Sequence, residues 1–258
     1  MPPFQYPPLL PLELRLLVLQ PGLPEDPLTG TLLQRKLSPE DGEVPDYEAL
    51  SYCWGDQSHP QSVKLKTKWR KGEEQPHPAP EPDSSSYRKF ILTAFGIHSG
   101  YLDIGPSLAS ALRALRYRHC KRLLWCDSIC INQKDVAERS AQVQRMTDLY
   151  QFARRVIVWL GPAAPWSTTA METMRWVRNQ LSSPAIDISS YEGPAPNFAP
   201  TKDGSRQEID CKGPLPLSQD QWLAFEQLLA ADWFRRLWTY QEIVLANQET
   251  SIVRLGDE

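Results

Sequence analysis

Short runs of consecutive apolar residues alternate along the chain with longer segments whose apolar residues recur at helical spacing. The short runs predict strands at residues 15–20, 47–52, 90–95, 122–126 and 156–160, with weaker candidates at 63–65 and 251–255. The longer segments predict helices at residues 107–115, 136–153, 166–181, 222–229 and 233–244. Strands that alternate with helices in this way are typical of βαβ units.

Two of these elements indicate how the layers are arranged. The run VIVWL at residues 156–160 is apolar at every position, as expected for a strand of a parallel sheet that is covered on both faces. The helix that begins at Ser107 places Leu108, Ala111, Leu112 and Leu115 on one face. We therefore expect an α/β domain with a mainly parallel sheet and helices on both sides of it.

Two segments lack this patterning and are rich in polar residues, proline, glycine and serine. They lie at residues 57–87 and 182–218, and we interpret both as loop insertions. The length of 258 residues and the 41% hydrophobic content fit one domain that spans residues 1–258 with these two insertions.

Charge and cysteine content narrow the classes of function. The formal net charge is −3, so no basic field favours a nucleic-acid partner. No run of 18 apolar residues is present, and the amino-terminal segment lacks a basic leading region, so we expect neither a membrane span nor a signal peptide. Cys53, Cys120, Cys126 and Cys130 lie in or beside apolar segments, which predicts buried thiols in a reducing compartment such as the cytoplasm.

Familiar catalytic and metal-binding motifs are absent from the sequence. It contains no Walker loop, no GxGxxG after a strand, no GxSxG and no HExxH. Cys126 and Cys130 have no second cysteine or histidine pair at the spacing of a zinc site. We expect no metal and no bound cofactor.

Three other blocks carry a resemblance to a known family. They are YEALSYCWGD at residues 47–56, LWCDSICINQKDVAERSAQVQRMTDLYQFARRVIVWLG at residues 124–161, and WFRRLWTYQEIVLA at residues 233–246. Their order and spacing resemble the heterokaryon-incompatibility (HET) domain of filamentous fungi, and RLLVLQPG at residues 15–22 fits as well. The resemblance implies an effector of nonself recognition that triggers programmed cell death. It also implies a partner region that senses the signal or binds a nucleotide.

A second, more distant resemblance suggests chemistry. HET domains are similar to TIR domains, which have a flavodoxin-like sheet, and several TIR domains cleave NAD with a glutamate on a late helix near a tryptophan. The segment RLWTYQEIVLA matches that context and places Glu242 at the position of the catalytic glutamate, with Trp238 beside it. The resemblance therefore implies NAD as the substrate and Glu242 as the catalytic carboxylate.

Helical spacing allows a separate interpretation of the same segment. We expect Leu237, Tyr240 and Val244 to centre a buried apolar face, with Glu242 at its edge. A carboxylate there can stabilise the ribosyl cation that forms when nicotinamide leaves. The alternative is that Glu242 pairs with Arg235 or Arg236 and only solvates the helix.

Candidate binding residues follow two of the predicted strands. Tyr52, Trp54, Gly55 and Asp56 come directly after or at the end of the strand at 47–52, where ligands of open α/β sheets collect. Trp54 can stack on a base or on nicotinamide, and Gly55 lets a ligand approach the backbone. The alternative for Trp54 is a packed aromatic residue without a ligand.

Two further candidates lie in the longest block. Asp127 follows the strand at 122–126 and either contacts ribose or caps the next turn. Arg139 lies early in the helix at 136–153 and either binds a phosphate or is a solvated helix charge.

Three functions remain open from the sequence. The first is a cell-death effector that hydrolyses NAD, and the second is a non-enzymatic signalling module that acts by self-association. The third is an unrelated hydrolase that processes nucleosides. The first two differ in whether Glu242 and the loop at Trp54 share one cleft.

Overall fold

The computed structural model describes residues 2–68, 97–181 and 217–257. The chain divides into two compact units. Unit 1 consists of Met1–Gly161 with Arg236–Arg254, and unit 2 consists of Pro162–Arg235 with Leu255–Glu258. The predicted strand at 90–95 and almost all of the predicted insertion at 182–218 fall outside the described residues.

Eight strands form one sheet in the order β5-β4-β2-β1-β6-β3-β7-β8. Their bounds are β1 Glu13–Leu19, β2 Thr29–Lys36, β3 Glu48–Tyr52, β4 Gln61–Lys68, β5 Ile97–Ile104, β6 Arg122–Trp125, β7 Arg155–Gly161 and β8 Ile252–Leu255. Six of these overlap predicted strands, namely β1, β3, β4, β6, β7 and β8, of which β4 and β8 were the weaker candidates. The sequence pattern did not predict β2, because TGTLLQRK has neither strict alternation nor an apolar run.

The sheet is mixed, so the prediction of a mainly parallel sheet was wrong. β3 is parallel to β6 and β7, and β2 is parallel to β4. β1 is antiparallel to both β2 and β6, and β4 is antiparallel to β5. The physical reason is local, since β1 and β2 are joined by a short connection that can only return the chain antiparallel to itself.

The expected loop insertion at 57–87 is also corrected in its first part. Residues 61–68 form β4, which is hydrogen-bonded to β2 on one side and β5 on the other. Val63, Leu65 and Thr67 are buried, whereas the residues between them are exposed. This alternation is typical of a strand with one solvated face.

Seven α-helices are present in the described part of the chain. They are α1 Pro106–Leu115, α2 Asp127–Cys130, α3 Val136–Gln144, α4 Met146–Gln151, α5 Ser167–Leu181, α6 Gln219–Leu229 and α7 Leu237–Val244. The four apolar residues predicted to face the core from α1 are all buried. Within the described residues, no helix is long and apolar enough to cross a membrane.

The single helix predicted at 136–153 is divided in two at Arg145. The Arg145 side chain donates hydrogen bonds to the carbonyl oxygens of Glu13 (3.3 Å) and Leu37 (2.8 Å), outside the helix. Gln142 also donates to the carbonyl of Glu13. These bonds hold the chain against β1 at the point where α3 ends, and no local sequence pattern encodes them.

The core of unit 1 lies around the central strand β3, all five residues of which are buried. Trp125 and Trp159 are almost fully buried in the neighbouring strands. Cys126 and Cys130 are buried as expected, whereas Cys120 is exposed, because it lies in the short connection before β6.

Helix α7 exposes its apolar residues and buries two polar ones, the reverse of the prediction. Leu237, Tyr240 and Val244, expected to face the core, are 84%, 68% and 49% exposed, whereas Thr239 and Glu242 are buried. Polar contacts explain the orientation, since Glu242 accepts a hydrogen bond from Ser51 of β3. The apolar pattern of α7 therefore predicted the wrong face.

Candidate functional site

The candidate site lies at the carboxyl ends of the parallel strands β3 and β6. β3 ends at Tyr52 and continues into the loop that carries Trp54, and β6 ends two residues before Asp127. Among the three neighbouring parallel strands, the first in the chain, β3, lies between the second and the third. Ligands of open α/β sheets collect beyond the carboxyl ends of strands at such a central position.

Asp127, the first residue of α2, is the most densely hydrogen-bonded carboxylate of the site. It accepts hydrogen bonds from the Tyr52 hydroxyl (2.9 Å), the Trp54 indole N–H (2.8 Å) and the backbone N–H of Ser128 (2.7 Å). Burial raises the pKa of Asp127 above its ordinary value, and the bonds from Trp54, Tyr52 and Ser128 oppose that rise. Asp127 therefore bonds to one adjacent backbone N–H and to two aromatic side chains, but it does not cap α2, whose N-cap is Cys126.

Tyr52 links Asp127 to a second hydroxyl group. Its oxygen lies 2.5 Å from the Ser128 hydroxyl. Because the Tyr52 proton is directed to Asp127, the Ser128 hydroxyl is the donor in this contact. Burial first, and then the negative charge of Asp127, raise the pKa of Tyr52 well above its usual range, so this phenol stays protonated at neutral pH.

Glu242 lies on the inward face of α7, with 4% of its surface exposed. Its Oε2 atom accepts a hydrogen bond from the Ser51 hydroxyl. Burial raises the pKa of Glu242 above its ordinary value, the Ser51 bond and the charge of Arg236 lower it, and the nearby charge of Asp127 raises it again. The Tyr150 hydroxyl also lies close enough to lower the pKa by hydrogen bonding.

Arg236 connects the start of α7 to the end of β3. Its Nη1 atom donates a hydrogen bond to the carbonyl oxygen of Tyr52 at 2.6 Å. Its positive charge also lowers the pKa of both Asp127 and Glu242. The charge of Arg236 therefore acts on both carboxylates. Among the described residues, Arg236 forms no ion pair within 4.0 Å.

Glu242 does not behave as a solvated helix charge. As a solvating helix charge it would be exposed and paired with an arginine, but it is buried and bonded to Ser51. Glu242 bonds to Ser51, whereas the loop at Trp54 is linked through Asp127 to Tyr52, the next residue of β3, whose side chain points to the other face of the strand. The charge of Asp127 still raises the pKa of Glu242, and the charge of Arg236 lowers the pKa of both carboxylates. The geometry is that of a partly buried site with two carboxylates and one guanidinium.

The loop after β3 holds its candidates in different ways. Trp54 is 36% exposed and lies against Asp127 through its indole N–H. Gly55 has φ of +62°, a left-handed conformation that glycine adopts without strain. Asp56 is exposed and accepts hydrogen bonds from the backbone N–H (2.8 Å) and the hydroxyl (2.5 Å) of Ser58, which stabilise its own turn.

Two predicted binding residues lie outside this hydrogen-bonded cluster. Trp238, on α7, is 51% exposed one turn before Glu242. Arg139, on α3, is exposed and donates a long hydrogen bond of 3.4 Å to the carbonyl of Gln133. Among the described residues no hydrogen bond or ion pair connects Arg139 to Asp127 or Glu242.

Sequence reasoning missed Ser51, Ser128, Tyr150 and the contact made by Arg236. Ser51 is a small polar residue inside an otherwise apolar strand, which is a detectable but ambiguous signal. The partners of Arg236 and Tyr150 are far away in sequence, so no local pattern identifies them.

Comparisons with known proteins match the region that contains the site. Residues 47–242 match the family model described as Heterokaryon incompatibility protein (HET). The chain is also similar to Heterokaryon incompatibility protein 6, OR allele, of Neurospora crassa, with 29% identity over 215 residues. That match covers 78% of this chain but only 28% of the length of the relative. No solved structure gives a significant match.

Proposed function

Because the chain belongs to the heterokaryon-incompatibility (HET) family, we propose that it is an effector of fungal nonself recognition that triggers cell death by hydrolysing NAD. The observation that carries the proposal is the presence of Glu242, Asp127, Arg236 and Trp54 at the carboxyl end of β3. A buried carboxylate on the inward side of a helix, bonded to a strand hydroxyl, is an uncommon arrangement and a frequent mark of functional sites.

The reaction requires a group that stabilises positive charge. Cleavage of the bond between ribose and nicotinamide leaves the electron pair on nicotinamide and a cation on the ribose carbon. A water molecule then adds to that carbon and loses a proton, which completes hydrolysis to ADP-ribose, nicotinamide and a proton. Ionised Glu242 stabilises the cation and accepts a hydrogen bond from a ribose hydroxyl.

The neighbouring residues bind and orient the rest of the substrate. Arg236 uses one N–H for Tyr52 and has others to donate to a phosphate group. The exposed face of Trp54 can stack on nicotinamide or on adenine. Glu242 is nearly buried, so neighbouring side chains must move before the substrate reaches it.

The strand order adds support for the relation to TIR and flavodoxin-like sheets. The parallel strands β6, β3 and β7 have their first member in the centre, as at the switch point of doubly wound folds. The antiparallel β1 and the strands beyond it are then additions to one side of this parallel set.

Nicotinamide release from NAD tests the proposal directly. The purified chain at high concentration should release nicotinamide, and Glu242→Gln should abolish the release while it preserves side-chain shape. Asp127→Asn should reduce it, and Glu249→Gln, an exposed carboxylate in a turn, is the matched control that should leave it unchanged. Equal release from wild type and Glu242→Gln would reject the catalytic role.

A second candidate function is favoured by a different observation. Leu237, Trp238, Tyr240 and Val244 expose apolar side chains along α7, and a soluble surface rarely carries so many on one short helix. This face supports a non-enzymatic module that signals by self-association. Cell death that persists with Glu242→Gln but fails when this face is made polar would favour the second function.

A further inference from the structure

A depression of about 310 Å³ lies on the sheet among β1, β2, β4 and the amino-terminal start of β6, the end of β6 opposite to Asp127. Three lysines line it, Lys64 and Lys66 from β4 and Lys121 from the residue before β6. Its polar lining is completed by Gln20, Thr29 and Thr31. Its volume lies at the lower end of the range of small-molecule sites.

The sheet register shows how these side chains come together. Lys64 pairs with Thr29 of β2, the backbone N–H of Gln20 bonds to the carbonyl of Thr29, and Lys121 lies opposite Gln20 in the continuation of the β1–β6 ladder. These four residues form a row across four strands. With strands about 4.8 Å apart, the row spans about 14 Å, so Lys64 and Lys121 approach its centre from opposite ends.

A second row repeats the pattern one step along the strands. Lys66 pairs with Thr31, two residues from the Lys64 and Thr29 pair and on the same face. The ligand-facing groups are therefore ammonium and hydroxyl groups on paired strands. Backbone hydrogen bonds fix their spacing, unlike that of lysines on a loop.

The charge of these lysines is uncompensated within the described residues. Lys64, Lys66 and Lys121 form no ion pair there, and no carboxylate lines the depression. The nearest acidic side chain on this face along the β4–β5 ladder, Asp103, accepts a hydrogen bond from the Ser62 hydroxyl. In a chain with a net charge of −3, this concentration of positive charge is local.

We propose that this depression binds a compact ligand with several phosphate groups, held by Lys64, Lys66 and Lys121 with Thr29 and Thr31 as hydroxyl donors. Three ammonium groups match the multiple negative charges of such a ligand, and lysine binds phosphate as a point charge. The depression is too small for a folded protein segment to fill with apolar contacts, and its lining is polar. The same chemistry occurs in free polyphosphates and in phosphoinositide headgroups.

Calorimetric titration with sodium tripolyphosphate in about 0.15 M salt tests the site under screened conditions. We expect saturable binding with one ligand per chain. Replacing Lys64 and Lys66 together by glutamine should weaken it about tenfold or more, because two of the three ammonium groups that bond to the charged ligand are removed. Lys134→Gln, an exposed lysine after α2, is the matched control and should bind as wild type.

Two further measurements separate the ligand sources and the alternatives. Vesicles of phosphatidylcholine with and without phosphatidylinositol bisphosphate show whether a lipid headgroup binds. Loss of vesicle binding in the variant that lacks Lys64 and Lys66 would show that the headgroup binds in the depression. Glu242→Gln should leave binding intact, so the site is tested independently of NAD hydrolysis. The proposal is overturned if neither probe binds saturably, or if Lys134→Gln weakens binding as much as the double variant does. In that case the three lysines only solvate the sheet.

Discussion

The hydroxyl of Ser51 donates a hydrogen bond to the carboxylate of Glu242, and this bond joins the central strand β3 to helix α7 across 191 residues of sequence. It accounts for the orientation of α7, because a buried carboxylate must keep a donor. It also gives Glu242 a fixed position beside the end of β3. The two residues are therefore the most direct place to test the candidate site.

Ser51→Ala should affect both stability and the pH dependence of activity. Loss of the donor removes a hydrogen bond from a buried carboxylate, which costs about 2 kcal/mol of unfolding free energy. It also removes a contact that lowers the pKa of Glu242, so the rise of nicotinamide release with pH should move to higher pH. Ser140→Ala, an exposed serine on α3, should change neither quantity. An unchanged pH profile would contradict the role of Ser51 in setting that pKa.

Glu242 should make the protein less stable as pH rises. Its folded pKa is raised above the ordinary value of 4.5, so the folded state binds the proton more tightly than the unfolded state. Its contribution is full below the unfolded pKa and is lost as pH rises through the folded pKa. Urea unfolding at about pH 4 and about pH 8 should show that Glu242→Gln gains stability relative to wild type at the higher pH. A constant difference between the two proteins would argue against the shift.

Arg15 of β1 and Glu138 of α3 form a buried ion pair. Arg15 is fully buried and also donates to the carbonyls of Cys130 and Pro7. Glu138→Ala leaves this charge without its partner and should cost about 4 kcal/mol in urea unfolding. A double variant with Arg15→Met and Glu138→Leu should recover most of the loss, since it removes both charges. Full stability of Glu138→Ala alone would show that the pair contributes little.

Gly55→Ala should strain the loop that carries Trp54. The backbone there has φ of +62°, and a side chain at that conformation costs about 1 kcal/mol. Space does not limit the change, because an added Cβ would meet only Ser107 at 3.8 Å. Gly42→Ala is a matched control with φ of +73°, and it should lose similar stability in thermal unfolding. Nicotinamide release should fall for Gly55→Ala and not for Gly42→Ala. If the two variants release nicotinamide equally, the loop at Trp54 takes no part in the reaction.

The exposed face of α7 should govern self-association if the second function applies. Leu237→Glu with Tyr240→Glu should shift the chain towards the monomer in sedimentation velocity at high concentration. Both side chains are largely exposed, so the unfolding free energy should change by only about 0.5 kcal/mol. Gln241→Glu adds charge at an exposed position of the same helix and is the control. Association that survives the double variant would locate the contact elsewhere.

The spacing of apolar residues correctly predicted α1 and β7. Leu108, Ala111, Leu112 and Leu115 are buried on α1 as the spacing indicates, and β7 is a buried strand between two neighbours. The break at Arg145 was not predictable, because its hydrogen bonds go to distant residues, and β2 was not predicted because its sequence has neither strict alternation nor an apolar run. For the site, Glu242 was identified on resemblance, and Asp127, Tyr52 and Trp54 from their positions after strands, but Ser51, the donor to Glu242, was missed.

Sequence by itself determined the family, the parallel strands β3, β6 and β7, and the candidates at their carboxyl ends. Those features depend on residues close together in the chain, where periodicity and motif order are visible. Tertiary structure alone decided the mixed sheet, the inverted face of α7 and the joining of Ser51 to Glu242 and Trp54 to Asp127. For α7, the buried carboxylate of Glu242 needs a partner far away in sequence, and only the folded chain supplies it.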